Sequence, residues 1–286
     1  MSVRFDTGKR SSLTMKVSCV CCTYGRFSFV RRSISFWLRQ DYQDKELIIF
    51  NTASVPLSLD ASISHLGIRV INQPVHITSG EAYTSLGMVR ADALNHARGD
   101  VYICWDDDDM FLPWHISQGI EQLLGCGRGA WMPAQSYFSD NGGHTYQRCR
   151  NSLEASVLVR MEYLRKYGFD SAGKSGAEHL PWRTGLLRDG DLSEQDEVTP
   201  FESYAYIWGE AGHKTSGSID EPGNFENHKR FSTDFGEGLR LIPKPAEEIE
   251  WLFENVYKSY PDPRLARKLN LYLQTKRLPV TQNLVQ

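Results

Sequence analysis

Short apolar runs alternate with helical periodicity through the first 113 residues of the chain. Val17–Cys22 (VSCVCC), Glu46–Phe50 (ELIIF), Ile68–Asn72 (IRVIN) and Val101–Trp105 (VYICW) are apolar almost throughout. Strands buried on both faces of a parallel sheet read this way. Between them, Val30, Ile34, Trp37 and Leu38 share one helical face. Leu86, Val89, Ala93 and Ala97 share another within Gly80–Arg98, with Gly99 as the expected stop. Strand and helix in alternation predict a mainly parallel sheet with helices on its faces.

After Pro113 the pattern changes. Ile116, Ile120, Leu123 and Leu124 predict a helix ending near Gly125. Ala130–Tyr137 and Thr145–Arg150 read as strands around a turn at Asn141-Gly142-Gly143. Ala155–Arg160 is a further strand, Met161–Tyr167 a short helix closed by Gly168, and Ser203 opens an aromatic strand. Beyond Pro245, Ile249, Leu252, Phe253, Val256 and Tyr257 repeat at helical spacing, and Asp262-Pro263 starts a second helix. Its Arg264, Arg267 and Lys268 form a basic face, either solvated or a platform for an anionic acceptor. The expected organisation is a polar lead-in over 1–14 and an α/β unit over 15–222. That unit divides into a nucleotide-binding half, 15–113, and an acceptor half, 114–222. Residues 223–286 form a lid-like segment and a helical extension.

Composition narrows the classes. Hydrophobic residues make up 41% and charged ones 23%, which excludes a generally disordered chain. A net charge of −3 gives no overall attraction for nucleic acid and leaves room only for a local basic patch. Among Cys19, Cys21, Cys22, Cys104, Cys126 and Cys149, the first four lie in apolar strand-like segments rather than in a spaced metal framework, so a zinc site is not expected. Most of them sit in strand-like segments as small core residues, which fits a reduced, cytoplasmic setting. No apolar run is long enough for a membrane span, and the N-terminal residues lack the apolar core of a secretory signal.

The candidate chemistry gathers at strand ends. Four aspartates, Asp106 to Asp109, follow VYICW. In an extended chain Asp106 and Asp108 point to one side and Asp107 and Asp109 to the other. Two carboxylates on one side suit a hard divalent cation that also binds phosphate oxygens. The competing reading is a solvated turn, with Asp109 leading into a helix at Pro113. In a parallel sheet ligands bind outside the carboxyl ends of the strands. Thr23–Arg26, Asn51–Ser54 and Asp106–Asp109 therefore converge on one crevice suited to a nucleotide with a metal on its phosphates.

Four stretches carry a family resemblance, in order. They are VSCVCCTYGR, LRQDYQDKELIIFNTAS, VRADALNHARGDVYICWDDDDMFLP and YGFDSAGKSGAEHLPWRTGLLRDGD. Together they resemble the family 2 glycosyltransferases across roughly residues 16–220. The resemblance implies a GT-A (Rossmann-like) fold, a nucleoside-diphosphate sugar as donor, usually UDP-linked, and Mn²⁺ or Mg²⁺ as cofactor. It places Thr23, Tyr24 and Arg26 at the base and ribose side of the donor, with Arg90 beside the nucleotide. Asp106 falls on the first Asp of the family's metal motif and Asp108 on the second, the direct metal ligand. Asn51 stands where the family has a base-binding Asp, and an amide can donate as well as accept. Where the family has Glu-Asp, this chain has Glu178-His179. Glu178 is the first candidate for general base and His179 the second. Glu194 and Asp196, in an acidic run read as a solvated loop, stand further out. His213 is a candidate third ligand to the metal or phosphates, and His228 competes for that role.

The expected reaction is metal-dependent transfer of a sugar to an acceptor hydroxyl, with inversion if a base at 178–179 drives it. The acceptor, a glycan, a glycoconjugate or a hydroxymethylated base in DNA, stays open. A metal-dependent nucleotidyltransferase would show a similar acidic strand end. A non-catalytic sugar-nucleotide-binding protein would account for Asn51 and His179.

Overall fold

The structure is a computed structural model that describes residues 15–58, 66–139, 146–151, 153–172, 177–193, 202–207 and 238–239. Glu194, Asp196, His213, His228, the Asn141–Gly143 turn and the helices predicted beyond Pro245 lie outside the described residues.

The predicted order of elements is present. β1 (Val17–Thr23), α1 (Phe27–Leu38), β2 (Lys45–Asn51), β3 (Ile68–Asn72), α2 (Leu86–Leu94) and β4 (Val101–Cys104) form the first half. The second contains β5 (Met110–Phe111), α3 (His115–Cys126), β6 (Ala130–Trp131), β7 (Gln135–Ser139) and β8 (Tyr146–Arg150). It continues through β9 (Leu158–Arg160), α4 (Met161–Tyr167), α5 (Leu180–Asp189), β10 (Leu192–Ser193), β11 (Tyr204–Ile207) and β12 (Gly238–Leu239).

Among the described residues, seven strands make one sheet in the order β10-β6-β9-β4-β1-β2-β3. β1 lies parallel to both β2 and β4, and β9 runs against its neighbours β4 and β6. A smaller sheet, β12-β8-β7-β11-β5, stands beside it. This mixed, mostly parallel α/β sheet is the GT-A architecture. Both faces of the large sheet are covered. Cys19, Cys21, Leu47 and Ile49 pack with Ile34 and Trp37 of α1 on one side. Val20, Cys22, Ile48 and Phe50 pack with Val89 and Ala93 of α2 on the other. The near-continuous hydrophobicity of these strands follows from that double burial. Burial, the largest influence, pushes the Cys22 thiol up to about 12, so it remains a core thiol.

Three expectations are corrected. α2 is shorter than Gly80–Arg98: it begins after the Ser85 cap, whose hydroxyl accepts from Met88 N, and ends at Asn95. Gly99 is not its stop. A Cβ there would stand 2.7 Å from the Lys16 carbonyl oxygen and 2.8 Å from Ser18 N, so Gly99 admits the chain against β1. The strand predicted over Ala155–Arg160 begins at Leu158, behind a 3₁₀ turn at Glu154–Ser156.

β1 sends its chain toward β2 on one side and accepts β4 on the other, so the strand order reverses between β1 and β4. Ligands of open α/β sheets sit at such a switch point.

Candidate active site

The four aspartates leave β4 as a turn, not as an extended chain. Asp107, Asp108 and Asp109 are all buried, but Asp108 keeps 12% of its side chain exposed and Asp106 is more open at 26%, so these two are the more accessible carboxylates. The two that strand alternation pairs, Asp106 and Asp108, are thus the more open ones, although the turn lets Arg26 reach both Asp107 and Asp108. Its Nε donates to Asp107 Oδ2 at 3.2 Å and its Nη1 to Asp108 Oδ2 at 2.9 Å, with Nη2 paired to Asp107 Oδ1. Thr23 Oγ1 donates to Asp107 Oδ2 at 2.6 Å. Arg32 of α1 donates to the Asp108 carbonyl at 2.8 Å.

Asp109 faces away and belongs to the second half of the chain. It accepts the Tyr204 hydroxyl and, at 3.3 Å, the Ile207 amide. Burial, then the adjoining Asp108 carboxylate, pushes Asp107 up to about 7 against the pull of Arg26 and Thr23. The same two causes raise Asp109 well above the usual carboxylate range. The turn thus crowds negative charge that further positive charge would relieve.

Arg90 joins the two sides of the site. From α2 it donates through Nη2 to Asp106 Oδ1 at 3.1 Å, and its Nε lies 3.2 Å from Glu178 Oε1. Cys104 Sγ also donates to Asp106 Oδ1, at 3.2 Å. Gly87 makes the approach feasible, since a Cβ there would fall 1.8 Å from the Asp170 carbonyl oxygen and 3.2 Å from Glu178 Cβ. The Asp170 amide donates to the Glu178 carbonyl at 2.8 Å, closing the segment that carries Glu178 against α2.

The other predicted residues separate in character. Tyr24 is 62% exposed at the rim. Asn51 is fully buried and its amide acts on the protein. Oδ1 accepts from Gly25 N at 3.0 Å and Ala53 N at 3.2 Å, and Nδ2 donates to Val55 O at 3.0 Å and Asn72 Oδ1 at 2.9 Å. It ties the loop after β1 to the loop after β2. His179 stands immediately before α5, with Nε2 2.9 Å from Glu154 Oε1; Arg183, one turn along, pairs with the same oxygen. Glu154, and the partners that hold Asp107 and Asp109, lie beyond sequence reasoning, because each contact joins residues more than 20 apart in sequence. Gln40 was visible only as a motif letter. Its Nε2 donates to Leu112 O at 2.8 Å and its Oε1 accepts from Ile116 N at 3.2 Å, so it fixes the chain just after the aspartates.

The profile of Glycosyl transferase family 2 matches residues 18–179, more than half of the chain. The chain belongs to this family. As a glycosyltransferase it shares its fold with solved structures. S. aureus TarS 1-349 in complex with UDP-GlcNAc aligns at a TM-score of 0.52 with 14% identity, over 86% of this chain and 73% of that one. S. aureus TarS aligns at 0.51 with 14% identity, over 85% of this chain and 43% of that one, so this glycosyltransferase spans less than half of its length. No curated protein matches the sequence.

Among the described residues no three His, Cys, Asp or Glu side chains converge as a metal-holding group. The donor set that faces the crevice is two carboxylates, Asp106 and Asp108. Hard oxygen donors in that number fit a divalent ion whose other positions are filled by phosphate oxygens and water. Among the described residues no helix is long and apolar enough to cross a membrane.

Proposed function

We propose that this glycosyltransferase takes a nucleoside-diphosphate sugar, UDP-linked, into the crevice between β1 and β4 and transfers the sugar with inversion to an acceptor hydroxyl. The observation that carries the reading is the Asp106–Asp109 turn. It keeps two carboxylates toward a switch-point crevice and holds the other two in the fold.

Asp108, with Asp106, would hold a divalent cation. When bound, that cation neutralises charge developing on the departing diphosphate. Tyr24 and the loop from Thr23 to Arg26 would border the base and ribose. Asn51 supports this loop from beneath, and its influence on base choice would pass through Gly25 and Ala53. Arg90 orients Asp106 on the donor side and Glu178 on the acceptor side. The Glu178–His179 step takes the proton of the attacking hydroxyl as the bond to the leaving phosphate breaks. UDP-GlcNAc bound to TarS, on the same fold, supports the choice of nucleotide. Family membership favours glycosyl over nucleotidyl transfer for the acidic strand end.

The test is thermal stabilisation by UDP, GDP, ADP and CDP, with and without Mn²⁺, in wild type and Asp108→Ala. Ligand at 100-fold over its Kd stabilises the folded state by about 2.7 kcal/mol. A Mn²⁺-dependent rise of several degrees with UDP, lost in Asp108→Ala, is the expected result. If no nucleotide moves the melting temperature under either condition, the donor-site reading fails.

A further inference from the structure

We propose that Glu154 positions His179, and that this Glu154–His179 dyad supplies the general base of the enzyme. The inference rests on the transfer reading above and refines it at one position, where the family's pattern has an aspartate. Glu178, the adjoining acid, is buried with Oε1 3.2 Å from Arg90 Nε, on the guanidinium that also holds Asp106. Its place in the structure is that of a brace between donor and acceptor sides.

His179 is held differently. It occupies the cap position of α5 but makes no capping bond with its side chain. The imidazole turns instead to Glu154, with Nε2 and Oε1 2.9 Å apart. Glu154 sits on the 3₁₀ turn that enters β9, and β9 is locked to β4, the strand that carries the four aspartates. Asn151 Nδ2 fastens that turn by donating to Ser156 Oγ at 2.7 Å and to Pro133 O at 2.8 Å. The carboxylate is therefore fixed to the same sheet that fixes the donor side.

Trp182 confines the ring from below, with its indole at 60° to the imidazole and 6.3 Å between centroids. His179 and Glu154 line a pocket together with Arg90, Glu178, Cys104 and Trp182, so the imidazole faces the space that begins at the donor side. Among the described residues, the charged groups around the imidazole are Glu154, Arg183 on α5, Glu178, and Arg90 beyond it on α2. Burial pulls the Glu154 carboxyl up. The hydrogen bond and charge of His179, together with Arg183, outweigh it and hold the carboxyl below its ordinary value. Glu154 thus stays a carboxylate while the imidazole changes charge.

A carboxylate can only accept, so a neutral His179 directs an Nε2 proton at Glu154 and keeps its lone pair on Nδ1. The acceptor hydroxyl transfers its proton to Nδ1 as its oxygen bonds to the anomeric carbon. The anomeric carbon–phosphate oxygen bond breaks, and its electron pair leaves with the nucleoside diphosphate. The imidazolium that remains is stabilised by Glu154 and returns its proton to solvent; the ring is 14% exposed.

The experiment uses the full chain labelled with ¹⁵N in histidine rings, with His179→Gln to assign the signal. The expected spectrum has the proton on Nε2 and the lone pair on Nδ1. In Glu154→Gln the preference for that tautomer weakens, because an amide can donate as well as accept. In parallel, UDP release from UDP-GlcNAc with Mn²⁺, water serving as acceptor, falls about 100-fold in kcat for His179→Gln and Glu154→Gln, with the donor KM within twofold. Glu154→Asp restores part of the rate, which separates positioning from folding. Glu178→Gln acts mainly on donor KM through Arg90. The opposite tautomer, a tautomer preference indifferent to Glu154→Gln, or undiminished turnover in His179→Gln overturns the dyad. A wild type that neither binds nor hydrolyses any nucleotide sugar overturns the transfer reading instead, while the tautomer seen in the ring spectrum still judges the Glu154–His179 pairing.

Discussion

Residue 51 shows how far single positions are legible. The sequence places Asn51 at the end of a buried strand, where the family has an acid that meets the base. The structure gives it four internal bonds, two donated and two accepted. An aspartate could keep the two it accepts, but its oxygens would oppose Val55 O and Asn72 Oδ1. Asn72 cannot simply invert its amide, because Leu57 donates to its Oδ1 at 2.8 Å and accepts from its Nδ2 at 3.0 Å. Asn51→Asp is therefore expected to cost about 1–3 kcal/mol, the penalty of buried polar groups left unmatched, read as a lower urea midpoint. An unchanged midpoint would show that the loop pair rearranges freely. No sequence pattern announces this partnership, since Asn51 and Asn72 meet only when β2 and β3 align in register.

At the scale of the element, strand identity was plain and helix limits were not. β1, β2 and β4 declare themselves by continuous apolar runs because both faces of the sheet are covered there, while β3, at the sheet's edge, is only partly buried. α2 was overextended by periodicity. Residues ahead of it are drawn into a loop fastened to the helix itself: Asp92 Oδ2 accepts from Tyr83 Oη at 2.7 Å and from Ile77 N at 3.2 Å. That bonding competes with helix and wins before Ser85. The helix then turns Gly87 toward the segment bearing Glu178. Glycine in a helix interior ordinarily costs about 1 kcal/mol relative to alanine, so Gly87→Ala would stabilise an unobstructed helix. Here the added Cβ meets the Asp170 backbone, and a loss of about 1–3 kcal/mol is expected from overpacking. Gly125 of α3, with nothing within 4 Å of its Cβ position, is the control expected to gain stability as alanine. Equal and positive changes in urea stability at both sites would contradict the close approach.

For the whole molecule, the two ends of the large sheet respond to pH in opposite senses. Near the start of β2, burial pulls Glu46 up. The hydrogen bonds from Ser18 and the Arg98 amide, with Lys16 and Arg69, prevail and hold it below its ordinary value. Stability from a depressed acid is present above its unfolded value and is lost as pH falls through the folded one. Burial also drives His115, on α3 beside Phe111 and Tyr204, down to about 3, so acid costs stability at that helix as well. At the crevice the signs reverse. Asp107, at about 7, and Asp109, raised well above the usual carboxylate range, favour folding while protonated, and that contribution is lost as pH rises from the ordinary carboxylate value through their folded ones. The urea midpoint of the ligand-free enzyme is expected to decline as pH rises toward and through about 7, with the decline flattened in Asp109→Asn, whose amide can still face Tyr204. A decline of equal slope in that variant would remove Asp109 from the account. Of this balance the sequence displays only the crowding of four acids. Which pair is buried more deeply depends on Thr23 and Arg26 on one side and Tyr204 on the other.

That last dependence bears on how the enzyme can be recombined. The acidic turn is gripped by β1 and its loop through Thr23 and Arg26, and by β11 through Tyr204 and Ile207. β9 adds a second seam, paired along β4 from Val101 to Ile103. A chimera joined after Pro113, meant to lend this nucleotide half a foreign acceptor half, would sever both. It would have to import partners for Asp109 before it could inherit any specificity. The junction that looks cleanest along the chain is thus the least separable in space, and new acceptors are more safely sought by grafting shorter loops onto an intact frame.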